Sequence, residues 1–183
     1  MKLLEIETAR LRMRPYTMDD IDGLHRLWTT PEARKYLWDD IIISREQAAS
    51  VVAESIELFG THGFGQCAVF PKDHESLIGF CGFRLFGEPP EVEILYGLVP
   101  QCWGHGLATE AARAMLRFGF EQCGWQRVYA GADPPNAASI RVMERCGMRF
   151  GKRVEINGLE AVYYEVTREA FQPDGAPYTV RRA

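Results

Sequence analysis

The stretch that decides the fold is Val92-Glu93-Ile94-Leu95-Tyr96-Gly97-Leu98-Val99-Pro100-Gln101-Cys102-Trp103-Gly104-His105-Gly106-Leu107-Ala108-Thr109-Glu110. Its first half is rich in β-branched and aromatic side chains, which predicts a strand. Gly104 and Gly106 then remove side chains where the backbone bends, and an alanine-rich helix is predicted from Leu107 onward. The first turn of a helix has free N–H groups and a partial positive charge, which suit a pyrophosphate. The stretch therefore predicts a strand, a turn and a helix that hold a phosphorylated ligand.

Two better-known phosphate-binding loops do not match this turn. A dinucleotide-binding loop has a third glycine where this chain has Thr109, and a parallel strand that ends in an acidic residue follows it. A nucleoside-triphosphate loop needs a Gly-Lys-Ser/Thr sequence, which this stretch lacks. On its own, the turn is equally typical of a glycine-rich bend that binds nothing, so the choice depends on the rest of the chain.

The composition is that of an ordinary globular protein. The chain has 183 residues, of which 46% are hydrophobic and 25% charged, and its net charge is −4. This length fits one domain, and an acidic balance without a basic run argues against a nucleic-acid partner. No apolar run approaches the roughly 18 to 20 residues that cross a membrane, and no secretory leader is apparent, so we expect a cytoplasmic protein without a membrane partner. The scattered cysteines show no metal-ligand spacing, which predicts reduced thiols and no metal site.

The other elements follow from the periodicity of apolar residues and from turn signals. Thr17 and Ser44 suit helix caps, Gly60 is predicted to stop the helix that Ser44 begins, and Asn157-Gly158 predicts a hairpin. Predicted strands cover 11–15, 66–70, 77–85, 92–99, 127–132, 149–156 and 159–167, and predicted helices cover 17–28, 44–60, 107–124 and 137–145, with a helical turn at 31–36. The fold class is α/β (α+β), with one mixed, mainly antiparallel twisted sheet of about six to seven strands and about four flanking helices. We place the domain at 1–171 and expect the tail, 172–183, to be poorly ordered.

A second motif and the beginning of the chain extend the pattern. The motif is Asn136-Ala137-Ala138-Ser139-Ile140-Arg141-Val142-Met143-Glu144-Arg145-Cys146-Gly147-Met148-Arg149-Phe150, and the beginning is Glu7-Thr8-Ala9-Arg10-Leu11-Arg12-Met13-Arg14-Pro15 with Asp19-Asp20 soon after. Together with the glycine turn, these residues resemble the GNAT superfamily of acyl-CoA-dependent N-acyltransferases, over roughly residues 6–170. Within that superfamily they are most similar to the ribosomal-protein N-terminal acetyltransferases of the RimJ/RimL type. The resemblance implies the GNAT fold, whose sheet is splayed at the cofactor site, and acetyl-CoA as the acyl-donor cosubstrate.

The resemblance also implies which residues bind acetyl-CoA. Backbone N–H groups between Gln101 and Ala108 receive the pyrophosphate, and amides near Leu98 hold the pantetheine arm and the oxyanion. Asn136 contacts the pantetheine, although a residue in this place equally suits a helix cap. The implied cofactor-binding residues are Leu98, Val99, Gln101, Trp103, Gly104, His105, Gly106, Leu107, Ala108, Thr109, Asn136 and Ser139.

Catalytic roles follow from the reaction that the resemblance implies. An amine that attacks a thioester needs a base, donors for the oxyanion and stabilisation of the departing thiolate. Glu93 is the candidate general base, directly or through a water, and Glu91 on the same strand face competes with it. Many family members have a tyrosine acid four residues after the Ser139 position, where this chain has Met143. Ser139 is the candidate substitute: it either protonates the thiolate or only hydrogen-bonds the sulfur, and its alternative is an ordinary hydroxyl in a helix turn.

The implied acceptor is a primary amine. A protein or peptide N-terminal α-amine comes first, because an amine with a pKa near 7.7 to 8.0 is already partly neutral and needs only a weak base. A small-molecule amine comes second, and a non-catalytic acyl-CoA-binding module is the alternative of another class. Tyr36, Trp38 and Phe64 lie in segments that wall the acceptor site in related folds, and they are equally typical of core aromatics. Dimers are common in the family, so a homodimer is a further partner to consider.

Overall fold

The computed structural model of the protein describes residues 4–156 and 158–182. These residues form nine strands and five α-helices, with short 3₁₀ turns at Met18–Asp20 and Pro100–Cys102. The strands are β1 (Leu4–Thr8), β2 (Leu11–Pro15), β3 (Gln66–Pro71), β4 (Gly79–Phe86), β5 (Glu91–Leu98), β6 (Arg127–Ala132), β7 (Arg149–Ile156), β8 (Leu159–Thr167) and β9 (Tyr178–Arg182). The helices are α1 (Ile21–Trp28), α2 (Pro31–Leu37), α3 (Arg45–His62), α4 (Leu107–Gln122) and α5 (Ala137–Arg145).

All of these strands belong to one sheet, in the order β7-β8-β6-β5-β4-β3-β2-β1-β9. β5 and β6 run parallel and pair at Glu93 and Tyr129, whereas every other neighbouring pair is antiparallel. A parallel pair needs a crossover connection, and α4 provides it between β5 and β6. The predicted mixed, mainly antiparallel α/β fold is confirmed, with more strands and helices than the sequence predicted.

The two unpredicted strands lie next to each other at one edge of the sheet. β1 precedes the first predicted strand and pairs with both β2 and β9. β9 falls within the tail 172–183, so the prediction of a poorly ordered tail is wrong for Tyr178–Arg182. Its ladder to β1 runs from the Leu4–Arg182 pair to the Thr8–Tyr178 pair. Backbone pairing to a strand more than 160 residues away in the chain orders this segment, because every backbone N–H and C=O needs a partner.

Helix α3 begins where the sequence predicted and ends later. Ser44 Oγ accepts a hydrogen bond from the Gln47 backbone N–H at 3.2 Å, and the Gln47 side chain accepts one from the Ser44 N–H at 2.8 Å. Gly60 lies inside the helix, which continues to His62 and ends at Gly63 with φ of +77°. The prediction of a stop at Gly60 is wrong because a left-handed residue past the last turn, rather than glycine as such, ends a helix.

Two apolar clusters occupy opposite faces of the sheet. Successive strand residues point to opposite faces, and in β3 Cys67 and Val69 belong to one cluster while Ala68 and Phe70 belong to the other. Residues of α4 and α5 complete the first cluster, and residues of α1, α2 and α3 complete the second. The helices therefore cover both faces of the sheet. None of the helices described in the structure has the length and apolar character that crossing a membrane requires.

The strands β7 and β8 pair as the sequence predicted. Asn157 of the predicted Asn157-Gly158 turn between them lies outside the described residues. The predicted strands at 66–70, 77–85, 92–99 and 127–132 correspond to β3, β4, β5 and β6, with end points that differ by at most two residues. The segments that carry the glycine turn and the second motif thus stand where the sequence placed them.

Candidate active site

A cavity of about 370 Å³ lies between β5 and β6. It lies beyond the Glu93–Tyr129 pair, where β5 leads into the glycine turn and β6 leads into the second motif. Residues of β5, the glycine turn, α4, β6 and α5 form its walls, and α2 contributes as well. Cavities of this size hold small ligands. Most of the predicted cofactor residues line it: Leu98, Trp103, Gly104, Gly106, Leu107, Ala108, Thr109, Asn136 and Ser139. We therefore call it the cofactor cavity.

Three predicted cofactor residues are not among those lining the cavity. The Val99 N–H donates to the Ile78 carbonyl at 2.8 Å, and its side chain packs on the core. Gln101 is exposed in the 3₁₀ turn, and His105 is exposed in the glycine turn. The structure therefore does not bring the side chains of Val99, Gln101 and His105 to the cavity wall.

The backbone of Leu98 faces the cavity. Val99 donates its N–H to Ile78 just before β4, and the polar groups of consecutive strand residues alternate in direction. The Leu98 N–H therefore points away from β4, into the space beside β6. The Leu98 carbonyl faces the same way and accepts a hydrogen bond from Trp103 Nε1 at 2.7 Å. This edge of β5 therefore presents an amide that can donate to an extended chain or to an oxyanion.

The glycine turn brings the start of α4 to one end of the cavity. Gly104 and Gly106 have φ of +79° and +76°, a region that side chains disfavour, and α4 begins directly after Gly106. Glu110 in the first turn of α4 accepts hydrogen bonds from Thr8 Oγ1 at 2.6 Å and Arg10 Nε at 2.7 Å. Burial raises the pKa of Glu110, but the hydrogen bonds from Thr8 and Arg10 outweigh it and lower the pKa. The turn is thus anchored to the β1–β2 connection, and the start of α4 is a helix terminus of the kind that can receive an anion.

Ser139 lies in the first turn of α5, at a corner of the cavity that also contains Tyr96. Asn136 caps α5, because its Oδ1 accepts the Ser139 N–H at 3.2 Å. The Tyr96 hydroxyl lies 3.0 Å from both the carbonyl oxygen and Oγ of Ser139. Burial raises the pKa of Tyr96 well above its usual value, against the smaller lowering effect of the hydrogen bond to Ser139. Met143 is 1% exposed and belongs to the core.

Glu93 is buried at the point where β5 and β6 meet. Its carboxylate is 2% exposed, and Oε2 accepts a hydrogen bond from Arg84 Nε at 2.6 Å. Oε1 lies against Gly131, where a Cβ atom would come within 2.8 Å of it, so this approach requires glycine. Burial, and then the charge of Glu93, raise the pKa of the neighbouring Tyr163. Glu93 does not line the cofactor cavity itself, but it touches Gly131, which does. Glu91 is exposed.

A second cavity of about 460 Å³ lies between the sheet and helices α1, α2 and α3. It shares Leu37, Phe80 and Leu95 with the cofactor cavity, so the two adjoin. Of the predicted acceptor-site aromatics, Trp38 lines the second cavity and Tyr36 lines the first.

Phe64, the third predicted acceptor-site aromatic, lies elsewhere. It is 5% exposed, and its ring stands edge-on to Trp125 with centroids 4.8 Å apart. The structure does not bring Phe64 to either cavity, because its side chain packs in the core on the α4 side of the sheet.

Sequence reasoning missed several residues of the cavity. In the sequence, Tyr96 is one of the apolar residues of a predicted strand, and nothing beside it marks its hydroxyl. Arg141 and Arg145 line the cavity together with Ala138 and Val142. These α5 residues recur at the spacing of one helix face, which is a signal that the sequence contains. In the described part of the chain, no group of three or more metal-ligating side chains is arranged to hold an ion.

The geometry suits an extended, phosphorylated ligand. A helix terminus stands at one end of the cavity, the edge of β5 with the Leu98 amide runs along its side, and a pair of hydroxyl groups lies at the other end. Two arginines add positive charge to the wall. The buried Glu93 carboxylate lies next to Gly131, which lines the cavity. This arrangement can hold an acyl donor and support proton removal from a nucleophile.

Comparison with known proteins agrees with this geometry. The model of the family described as "Acetyltransferase (GNAT) domain" matches residues 10–149. The uncharacterised N-acetyltransferase p20 of Bacillus licheniformis is 29% identical over 137 residues, which are 74% of this chain and 77% of that protein. The FsC-acetyl coenzyme A-N(2)-transacetylase of Aspergillus fumigatus is 28% identical over 184 aligned positions, with 90% of this chain and 76% of that protein covered.

Solved structures share the fold. A GNAT-family acetyltransferase from Bacillus anthracis superimposes with a TM-score of 0.76 at 24% identity and covers 90% of this chain and 99% of its own. RimL, described as a ribosomal L7/L12 α-N-protein acetyltransferase in complex with coenzyme A, gives a TM-score of 0.72 at 19% identity, with 89% and 97% covered. At these identities the likeness shows the fold alone.

Proposed function

Since this chain belongs to the GNAT family of N-acetyltransferases, we propose that it transfers the acetyl group of acetyl-CoA to a protein or peptide N-terminal α-amine. The transfer is direct, with both substrates bound at once. The observation that carries the proposal is the continuous cavity from the Gly104–Gly106 turn to the Ser139 hydroxyl. One cosubstrate with a pyrophosphate at one end and a thioester at the other spans these two features.

The described residues fit acetyl-CoA along the whole cavity. The amides that open α4 receive the pyrophosphate, because they have no partner within the helix. The Leu98 N–H hydrogen-bonds the thioester carbonyl as it becomes an oxyanion, and Asn136 and Ser139 border the pantetheine end. Bound acetyl-CoA supplies the electrophilic carbonyl carbon. Trp103 Nε1 donates a hydrogen bond to the Leu98 carbonyl at 2.7 Å, and the indole forms one side of the cofactor cavity.

Glu93 acts as the general base in this proposal, through a water beside Gly131. Its carboxylate oxygen touches Gly131, which lines the cavity, but its own side chain does not reach the cavity wall. A single water therefore bridges the carboxylate and the amine. Arg84 holds Glu93 in place and occupies one carboxylate oxygen, so the other oxygen is the one that accepts the proton.

An α-amine is the acceptor that suits such a base. At neutral pH a lysine with a pKa near 10.4 needs about 4 kcal/mol to lose its proton, whereas an α-amine near 7.7 to 8.0 needs little. The second cavity adjoins the cofactor cavity and has room for the side chain of a first residue, with Trp38 on its wall. We also propose a protein substrate, membership of the RimJ/RimL branch, a cytoplasmic location and a homodimer.

A small-molecule amine is the second candidate. The second cavity, at about 460 Å³, has the size of ordinary small-molecule sites.

Release of CoA thiol separates these candidates. The purified chain is mixed with acetyl-CoA and a panel of peptides with a free α-amine and no lysine. Matched peptides with a blocked N-terminus and one lysine, and small amines, complete the panel. We expect release with the free α-amines and none with the blocked peptides. Release with small amines alone would replace the peptide acceptor, and acetyl-CoA binding without any release would indicate a non-catalytic acyl-CoA-binding module.

A further inference from the structure

We infer that Tyr96 is a positioning residue that directs the Ser139 hydroxyl at the thioester sulfur. The inference rests on the proposed acetyl transfer and adds a residue to it. Tyr96 lies on β5 and Ser139 on α5, so the fold brings together two hydroxyl groups that are 43 positions apart in the chain. Both residues line the cofactor cavity.

The hydrogen bonds of Tyr96 fix the direction of the Ser139 hydroxyl. The Tyr96 Oη atom is 3.0 Å from the Ser139 carbonyl oxygen and 3.0 Å from Ser139 Oγ. A carbonyl has no proton, so toward that atom Tyr96 is the donor. The two distances are equal, and we take the phenol as the donor to both oxygens, in one three-centre hydrogen bond. Ser139 Oγ then accepts, and its own proton is free to point into the cavity. A hydroxyl that accepts one hydrogen bond is also a stronger donor of its own.

Tyr96 stays a donor throughout the working pH range. Burial raises the pKa of the phenol well above its usual value, which keeps the proton on Oη. The residue four positions after Ser139, Met143, is 1% exposed in the core and has no hydroxyl. The phenol in this site therefore comes from β5, and it acts on the sulfur through Ser139.

The step that this pair assists is the departure of the thiolate. The amine nitrogen bonds to the carbonyl carbon, the C–S bond breaks, and its electron pair goes to the CoA sulfur. A water molecule transfers the extra proton of the amine to the Glu93 carboxylate. Ser139 donates a hydrogen bond to the sulfur as its negative charge grows, while Tyr96 donates to Ser139 and keeps its own proton.

A double-mutant cycle tests the inference. Tyr96→Phe removes one hydroxyl and keeps the ring, and we expect about a tenfold fall in kcat, the effect of one hydrogen bond lost from a transition state, with KM for acetyl-CoA unchanged. In the Ser139→Ala background, Tyr96→Phe should have no further effect, because Tyr96 acts through Ser139. Tyr164→Phe is the matched control, since Tyr164 is a partly buried tyrosine on β8 that packs against Phe150.

A second measurement needs no acceptor amine. The thiolate absorbance of bound CoA, taken as a difference spectrum against free protein, gives the pKa of the bound thiol. We expect Tyr96→Phe and Ser139→Ala to raise this pKa, and the double variant to raise it no further than Ser139→Ala alone. An unchanged thiol pKa and kcat in Tyr96→Phe, or fully additive effects, would overturn the inference. If the wild type acetylates no amine, the proposed function fails, and the thiol titration still decides the role of Tyr96.

Discussion

Arg10 and Glu110 join the β1–β2 connection to the first turn of α4. The Arg10 Nε and Nη2 atoms lie 2.7 Å and 2.6 Å from Glu110 Oε2, and the Arg10 N–H donates to Oε1 at 2.9 Å. Arg10 Nη1 also donates to the His105 carbonyl at 3.0 Å, inside the glycine turn. One side chain thus holds both the turn and the helix that follows it, and the amides that face the cavity keep a fixed direction.

Glu110→Gln weakens this anchor and should weaken acetyl-CoA binding. Losing a hydrogen bond between charged groups in a partly exposed place costs about 1 kcal/mol, which corresponds to a Kd about fivefold higher. Glu121→Gln on the same helix, where Glu121 pairs with Arg117 at 2.8 Å, is the matched control and should leave the Kd unchanged. Calorimetry measures the Kd for acetyl-CoA in both variants. An equal loss of affinity in both would mean that the substitutions merely destabilise α4.

Glu93→Gln should reduce kcat/KM by about 100-fold at neutral pH, the usual effect of a lost general base. The deficit should shrink as the pH rises, because the amine then loses its proton to solvent. Glu91→Gln is the control, since Glu91 lies on the same face of β5 but is exposed. The pH profile of kcat/KM checks this. A deficit that is the same at every pH would remove Glu93 from proton transfer and leave it a structural partner of Arg84.

Arg141→Gln should weaken the binding of CoA and leave the binding of acetyl-pantetheine unchanged. Arg141 is exposed and lines the cofactor cavity, and a cation there attracts the phosphates that pantetheine lacks. The difference in Kd between variant and wild type should fall as salt is added, because exposed charges are screened. Arg153→Gln on β7 is the control. Equal losses for both ligands would place Arg141 against the pantetheine arm instead.

The buried Asp20 and the half-buried Arg14 form an ion pair that makes stability depend on pH. Arg14 Nη1 lies 2.7 Å from Asp20 Oδ2, and Asp20 is 6% exposed. Burial raises the pKa of Asp20, but hydrogen bonds from Arg14 and Thr17 outweigh it and lower the pKa. Because the pKa is lowered in the folded state, the ion pair stabilises the fold fully above about pH 4, the usual pKa range of an aspartate. This stabilisation is lost as the pH falls through the lower pKa that Asp20 has in the folded state.

Asp20→Asn should therefore lower the free energy of unfolding by about 2 kcal/mol at pH 7, through the loss of charged hydrogen bonds. The difference from wild type should shrink in acid, below the usual aspartate pKa. Urea denaturation at pH 7 and pH 3 measures both values. Asp22→Asn is the control, because Asp22 pairs with Arg45 on the surface and should change little. A difference that persists in acid would contradict the role of the ion pair.

The central elements could be predicted because their signals are local. The β5 strand, the Gly104–Gly106 turn and α4 occupy consecutive residues, and each local preference agrees with the final structure. The capping residues Ser44 and Asn136 act within three residues of their own positions. Such short-range patterns are readable from the chain without knowledge of its packing.

Long-range contacts could not be read in the same way. β9 is a strand because β1 is beside it. Tyr178, Thr179 and Val180 favour a strand, but Pro173, Gly175 and Pro177 just before them favour a loop, and only the pairing with β1 decides between the two. Tyr96 reads as an apolar strand residue until α5 places Ser139 3.0 Å from its hydroxyl. Phe64 follows the segment of α3 that borders the acceptor side, yet its ring turns to Trp125 on the other face. In each of these cases tertiary packing, rather than local propensity, determines the structure or contact of the residue.

Every role proposed for the cofactor cavity requires that acetyl-CoA binds at the glycine turn. Calorimetry of wild type, Gly106→Glu and Gly124→Glu with acetyl-CoA tests it, because Gly106 and Gly124 have nearly the same φ, +76° and +73°, and stand at opposite ends of α4. We predict that wild type and Gly124→Glu bind and that Gly106→Glu does not. Absence of binding to wild type at near-millimolar acetyl-CoA, or unchanged binding to Gly106→Glu, would contradict the account.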